Sequence, residues 1–322
     1  MCMKKEFYFL RKVNFDDFKN NYFDKKTFVT HGDIGDFPNH IDSFNKQDIN
    51  DFLDIYDNPI MVVGDPIIDY TEGLSNRILV DKKNARYWYD KGCAIELDHF
   101  ELFDIGLKNY IEALKQCLGL PNGCIGKSII YAAKNGGGFP PHFDAYTNFI
   151  FQLKGEKEWK ISTNENVNMP LEHYELVEYP FISDTLKEYW KYDGEVPKLN
   201  LENGNCITLK RGSFLYLARG DWHRTSSRTE TLALNITFTI PKVIDYVSDY
   251  LKLKLSSYER YRMSVNNENL GIWLLDSFKQ ELINDITDCI NSMDKNALEY
   301  LTENSTDVYQ ATQSTFRYML SK

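Results

Sequence analysis

Between residues 126 and 242 the chain is a succession of short apolar or β-branched runs separated by Gly or Asn turns. Ser128 to Tyr131, Asn148 to Leu153, Glu158 to Ser162, Cys206 to Leu209, Phe214 to Leu217 and Thr231 to Ile240 all read as strands. Several short strands at this spacing predict an antiparallel sandwich or barrel. The flanks read differently. Residues 1–125 mix short strands, such as Phe28-Val29-Thr30 and Ile60-Met61-Val62-Val63, with helix. Leu107, Tyr110, Ile111, Leu114 and Leu118 recur at helical spacing, and Gly119, Pro121 and Gly123 stop that helix.

After Pro241 the pattern is helical. Leu275, Phe278, Leu282, Ile286, Cys289 and Met293 step by three or four and form one apolar stripe. A helix packed on its own domain explains the stripe, and pairing with a second copy of the chain is the alternative. The expected organisation is therefore N-terminal α/β elements over 1–125 packing on a barrel over 126–242. A helical region over 243–322 follows, a candidate for dimerisation.

Composition narrows the function classes. With 322 residues, 43% hydrophobic and 14% aromatic, the chain can bury a sizeable core. A formal net charge of −10 argues against a nucleic-acid or membrane-surface binder, because phosphate binding needs a basic field. The six cysteines form no C-x-x-C pair and read as reduced thiols. No signal peptide and no membrane-spanning apolar run is visible, so a cytoplasmic location is expected.

The chemistry concentrates in Pro140-Pro141-His142-Phe143-Asp144. In a strand, residues two apart share a face, so His142 and Asp144 present an imidazole and a carboxylate side by side. A third ligand from another strand completes a two-histidine, one-carboxylate facial triad, which leaves positions on iron open for a cosubstrate and oxygen. His223, in Gly220-Asp221-Trp222-His223, follows the strand Phe214 to Leu217 at a turn and is the candidate. His31, His40, His99 and His173 lack comparable context, and surface or hydrogen-bonded structural roles are expected for them. In Lys157-Glu158-Trp159-Lys160-Ile161, Lys157 shares the apolar face of Trp159 and Ile161. A buried lysine is costly unless paired, so an anion inside the barrel is one reading and a lysine snorkelling to the rim is the other. Gly136-Gly137-Gly138 lacks the ending of a P-loop and reads as a flexible turn placing the metal-binding strand.

At these residues the chain resembles JmjC-type oxygenases, in particular the ribosomal-protein hydroxylase subgroup. The resemblance is carried by Gly138-Phe-Pro-Pro-His142-Phe-Asp144 through Gln152, Gly155, Lys157 and Trp159, and by Arg211 to Leu217 through Trp222-His223. One departure is Leu217-Ala218-Arg219-Gly220, where the family usually has Pro before the turn to the second histidine. The resemblance implies a mainly β fold with α elements, a double-stranded β-helix (cupin, jelly-roll) barrel. It implies Fe(II), 2-oxoglutarate and O2, with Lys157 binding the distal carboxylate of 2-oxoglutarate. Tyr131 would help at that carboxylate, and Asn235 would lie near the metal-chelating end. It further implies hydroxylation of a C–H bond, most readily on a protein or peptide side chain, with no catalytic group beyond the metal ligands. Asp144 would occupy the position a halide takes in related halogenases, favouring hydroxylation. The family's ribosomal-type members carry a dimerisation region, which residues 243–322 are helical enough to match, and a winged-helix tail, which the sequence here does not identify. Competing readings are a small-molecule hydroxylase of a biosynthetic pathway and a non-catalytic metal-binding cupin. A cupin isomerase or cosubstrate-free dioxygenase is a further alternative, but it would use more histidines and would not need Lys157.

Overall fold

The computed structural model describes residues 4–64, 77–176, 182–191, 204–265, 271 and 275–294. Thirteen strands among them form two antiparallel sheets. In chain order they are β1 (Phe28–Thr30), β2 (Ile60–Val63), β3 (Arg77–Val80), β4 (Ala94–Asp98), β5 (Ile125–Ala133), β6 (His142–Phe143) and β7 (Thr147–Lys154). They continue as β8 (Lys157–Ser162), β9 (Tyr174–Glu175), β10 (Asn205–Leu209), β11 (Phe214–Leu217), β12 (Trp222–Ser227) and β13 (Thr231–Thr239). The larger sheet runs β1-β11-β7-β13-β5-β4-β2-β3, and the smaller runs β10-β8-β12-β6-β9. This is the mainly antiparallel cupin architecture that the strand pattern and the resemblance predict. β1 to β4 come from the N-terminal region and are strands of the larger sheet itself.

The chain folds as two compact units, one of residues 1–119 with 125–239 and one of 120–124 with 240–322. In the first, alternation sorts β7 and β13 into two faces although nearly every residue on them is buried. Phe149 and Phe151 face outward onto the N-terminal elements, where Phe151 meets Phe9, Phe37 and Phe44 with ring centroids 5.0–5.1 Å apart. Each such phenylalanine contributes about 1.5–3 kcal/mol of burial. The helix Ile105–Leu118 covers another part of the sheet. Asp104 accepts from the Leu107 amide at its start, and Gly119 ends it. The opposite face carries Ile150, Ala233, Leu215 and Leu217, which meet Trp159 and Ile161 of the smaller sheet to form the barrel's apolar core.

The smaller sheet's outer side is closed by Phe143, Val167, Tyr174, Leu186, Trp190 and Trp222. In the second unit, Cys289 of the helix Asp276–Asn291 and Met293 just beyond it pack on Tyr250 of the helix Val243–Leu255, whereas Leu275 of the expected stripe is exposed. Residues 295–322, the end of the region expected to be helical, lie outside the described residues. Cys93, Cys124, Cys206 and Cys289 are in no disulfide. Cys117 is disulfide-bonded, which departs from the expectation of reduced thiols throughout.

Two glycines set the geometry near the barrel mouth. Gly138 lies so close to the Thr225 carbonyl that a Cβ would collide with it. Its segment is stitched to β12 by Ser227 N–H to Gly137 O at 2.7 Å and Thr225 N–H to Phe139 O at 3.1 Å, so the glycine run is a bonded turn and not a loose one. Gly155 joins β7 to β8 at φ +74°, where a side chain is strained, and a Cβ there would strike the Glu230 carbonyl. Gly155→Ala should therefore cost about 1–3 kcal/mol of stability, read as a lowered urea midpoint. An unchanged midpoint would show that the β7–β8 turn does not depend on this close approach.

Candidate metal centre

β6 and β12 are antiparallel neighbours, and their pairing sets His142 directly opposite His223. The two rings lie 4.0 Å apart between centroids. Asp144 follows β6 immediately and, two residues from His142, shares its face, while Phe143 between them points into the aromatic cluster outside. One ligand atom from each of His142, Asp144 and His223 falls within 4.8 Å of the others, and all three residues are buried. The sequence places His223 at a turn, but it is the second residue of β12. That strand is hard to see in sequence because its inward residues, His223, Thr225 and Ser227, are polar, and the first two line the site. The missing proline before this turn is offset by Thr27, which donates to Asp221 at 2.6 Å and accepts from the Ala218 amide at 3.2 Å.

Backbone carbonyls fix both imidazoles. His142 Nδ1 lies 2.7 Å from Pro140 O, and His223 Nδ1 lies 3.0 Å from Asp221 O. A carbonyl can only accept, so Nδ1 carries the proton in each ring and Nε2 keeps its lone pair for a cation. Burial, reinforced by the neighbouring His223 ring, pushes His142 down to about 3, and burial lowers His223 as well. Burial would raise Asp144, but a hydrogen bond from His173 and the surrounding imidazoles hold it well below the usual carboxylate range. Two neutral nitrogen donors and one ionised carboxylate make up the donor set of a divalent transition metal, and this chain's residues fit one.

The three side chains open onto a cavity of about 370 Å³. Lys157 projects into it from β8, whose residues alternate buried and half-exposed, and is only 3% exposed itself. Its Nζ lies 5.0 Å from the Phe139 ring centroid and 5.6 Å from those of Tyr131 and Trp159. No carboxylate among the described residues forms an ion pair with it, and burial, partly offset by Glu96, pushes it down to about 8. Lys157 therefore points inward, not to the rim. Tyr131 lines the same cavity from β5, and its hydroxyl is raised well above the ordinary tyrosine value by burial and by Glu96 and Asp144. Asn235 lines it from β13 and donates through its Nδ2 to Asn148 Oδ1 at 2.8 Å, and Asn148 in turn donates to Asp144 Oδ2 at 2.9 Å.

Several cavity groups were not legible in the sequence. Arg77 donates to Glu96 at 2.6 Å and to Glu175 at 3.2 Å, joining β3 and β4 of one sheet to β9 of the other. Asn148 and His173 both bond Asp144. Only the inward phase of β7 could have pointed to Asn148. His31 bonds Ser213 at 2.9 Å and His99 lies 3.0 Å from Glu101, the structural roles expected of them, whereas His173 lies against the triad.

A family model for the JmjC domain matches residues 107–246. The chain is 43% identical to the uncharacterized protein YxbC of Bacillus subtilis over 319 residues, 96% of this chain and 94% of that one. It is 26% identical over 171 residues to the bifunctional lysine-specific demethylase and histidyl-hydroxylase NO66 of Drosophila yakuba. That match covers 51% of this chain but 21% of NO66, so the chain spans about a fifth of that relative's length. The fold is similar to that of the Escherichia coli ribosomal oxygenase YcfD in complex with cobalt and 2-oxoglutarate. The TM-score is 0.54 at 16% identity, covering 87% of this chain and 68% of that chain. The chain belongs to one family with YxbC, and its residues 107–246 carry the JmjC domain.

Proposed function

We propose that this chain hydroxylates a C–H bond of a protein or peptide side chain, with iron(II) held by His142, Asp144 and His223 and 2-oxoglutarate anchored by Lys157. The observation that carries this reading is Lys157: a buried ammonium group facing the same cavity as the three candidate ligands, with no anionic partner among the described residues. Burying a lone charge is costly, and a ligand carboxylate removes the cost while adding a charge-assisted hydrogen bond. Tyr131, on the neighbouring wall, is suited to donate to that same carboxylate. Asn235 bears on the metal-chelating end through Asn148, by fixing the orientation of Asp144.

Iron with 2-oxoglutarate and O2 supplies the oxidising power that converts the cosubstrate to succinate and carbon dioxide and inserts one oxygen atom into the substrate. The chain's own part is positional. Pro140 O and Asp221 O hold the two rings by Nδ1, Asn148 and His173 hold the carboxylate, and the apolar core excludes water. Three protein ligands leave room for the cosubstrate and oxygen, and Asp144 as the third favours hydroxylation over halogenation. The names of NO66, a histidyl-hydroxylase, and YcfD, a ribosomal oxygenase, support a polypeptide substrate. The net charge of −10 suits a basic one. The exposed Ile283 and Ile290 of the helix Asp276–Asn291 are the feature through which a second copy would pair.

Given iron(II), 2-oxoglutarate and air, the purified chain should form succinate, and His142→Ala or Asp144→Ala should abolish it. Equal succinate from those variants would remove the metal assignment. Lys157→Ala should raise KM for 2-oxoglutarate roughly 10- to 100-fold, the equivalent of about 1.5–3 kcal/mol of charge-assisted bonding. A normal KM would remove the cosubstrate assignment. Incubation with cell-lysate proteins should add the mass of one oxygen to a polypeptide. Products confined to the small-molecule fraction would favour the biosynthetic alternative.

The pH dependence of stability offers a second check on Lys157. Its folded value of about 8 lies below its ordinary 10.5, so between these pH values the unfolded chain binds more protons and stability rises with pH. Below pH 8 the full penalty applies, at most about 3 kcal/mol. Without cosubstrate, Lys157→Met should therefore be more stable than the wild type at pH 7, by a margin that disappears toward pH 10.5. A variant less stable than the wild type at pH 7 would contradict the account of Lys157 as an uncompensated charge.

A further inference from the structure

The turn-and-strand segment between β8 and β10 delivers one more imidazole to the site. We infer that His173 is a positioning residue, which holds the outer oxygen of Asp144 so that this carboxylate has one oxygen left for the metal. The inference rests on the metal reading given above and goes beyond its set of ligands.

The geometry is specific about which oxygen does what. His173 Nδ1 lies 3.0 Å from Asp144 Oδ1, and since a carboxylate only accepts, the imidazole N–H is the donor. The other oxygen, Oδ2, is the one turned toward His223, 3.7 Å from its Nε2, and it accepts from Asn148 at 2.9 Å. A carboxylate bonded in this way cannot swing to offer both oxygens to one cation without breaking the His173 hydrogen bond. Retaining a single-oxygen ligand keeps adjacent metal positions open for cosubstrate and oxygen.

The ring is presented by a packed element. β9 pairs with β6 in the register Glu175 to His142 and Tyr174 to Phe143, and the Leu176 amide donates to Pro141 O at 2.8 Å. Tyr174, next to His173, is 2% exposed and packs against Trp190 with centroids 4.9 Å apart and against Phe143 at 5.7 Å. On its far side the ring faces Glu175, Nε2 to Oε2 being 3.9 Å, and Glu175 accepts from Arg77 Nε at 3.2 Å. The chain Arg77–Glu175–His173–Asp144 thus runs from the edge of the larger sheet to a candidate ligand. His173 touches no reacting atom in this arrangement. It acts through Asp144.

The test uses the full-length chain and Co(II) as probe, with affinity measured by calorimetry and coordination by the visible absorption spectrum. His173→Leu removes the donor, while His173→Asn keeps an N–H near the position of Nδ1. Because the His173 side chain is 39% exposed, neither change empties a core, and thermal melting verifies the fold. His173→Leu should weaken Co(II) binding roughly 10- to 100-fold and alter the spectrum, while His173→Asn stays within a few-fold of the wild type with its spectrum retained. Wild-type affinity and spectrum in His173→Leu would overturn the inference while leaving the metal reading in place. Equal losses in His173→Asn and His173→Leu would also overturn it, since the N–H would then be irrelevant. Failure of the wild type to bind Co(II), or undiminished binding by His142→Ala, would overturn the metal reading and this inference with it.

Discussion

The pairing of β6 with β12 is the constraint on which the rest of the site depends. Two residues of β6 are enough to put His142 opposite His223, and the pleat then puts Asp144 on the same side. A slip of one residue would turn the imidazole outward and bring Phe143 inward, a double loss, because Phe143 belongs to the cluster with Tyr174, Trp190 and Trp222. The register is secured on both sides: β12 continues along β8 for six residue pairs, and the glycine run before β6 is bonded back onto β12. The aromatic packing outside the smaller sheet and the polar arrangement inside it are two consequences of one alignment.

The interior of the barrel mixes two kinds of side chain at the same levels. Ile150, Trp159, Ile161, Leu215 and Leu217 form an ordinary apolar core. Among them the register sets His223 opposite Ile161 and Asn148 opposite Leu217, and with Lys157 and Asp144 these are groups that need partners. Low dielectric strengthens every hydrogen bond there and penalises every unpaired charge. The carboxylate of Asp144 is doubly bonded, the imidazoles are held by carbonyls, and Arg77 is paired with Glu96 and Glu175. Lys157 stands apart from this pattern, and an incoming anion is the partner its position calls for.

Much of this was legible in the sequence, for identifiable reasons. The strands of the larger sheet are β-branched and aromatic and alternate over a buried surface, so β5, β7, β11 and β13 stood out. His142-Phe143-Asp144 reads correctly because the period of two survives even in a two-residue strand. Lys157 reads as inward because Trp159 and Ile161 fix the phase of β8. β12 did not read as a strand, since its inward side chains are polar and Arg224 and Ser226 on its other face are polar as well. His173 reads as a surface or structural histidine because nothing local distinguishes it. Its role comes from β9 pairing with β6, a contact 31 to 33 residues away in sequence that no pattern reports. Asn235 faces the cavity from β13, but its bond to Asn148 is a side-chain event across two strands that no local pattern reports.

The most direct measurement is a crystal structure grown without oxygen in the presence of Mn(II) and 2-oxoglutarate, with anomalous diffraction locating the metal. The account predicts one anomalous peak bonded to Nε2 of His142, Nε2 of His223 and one oxygen of Asp144, with the distal carboxylate of the cosubstrate on the Lys157 ammonium group. A peak bonded elsewhere, or a cosubstrate carboxylate directed away from Lys157, would contradict it.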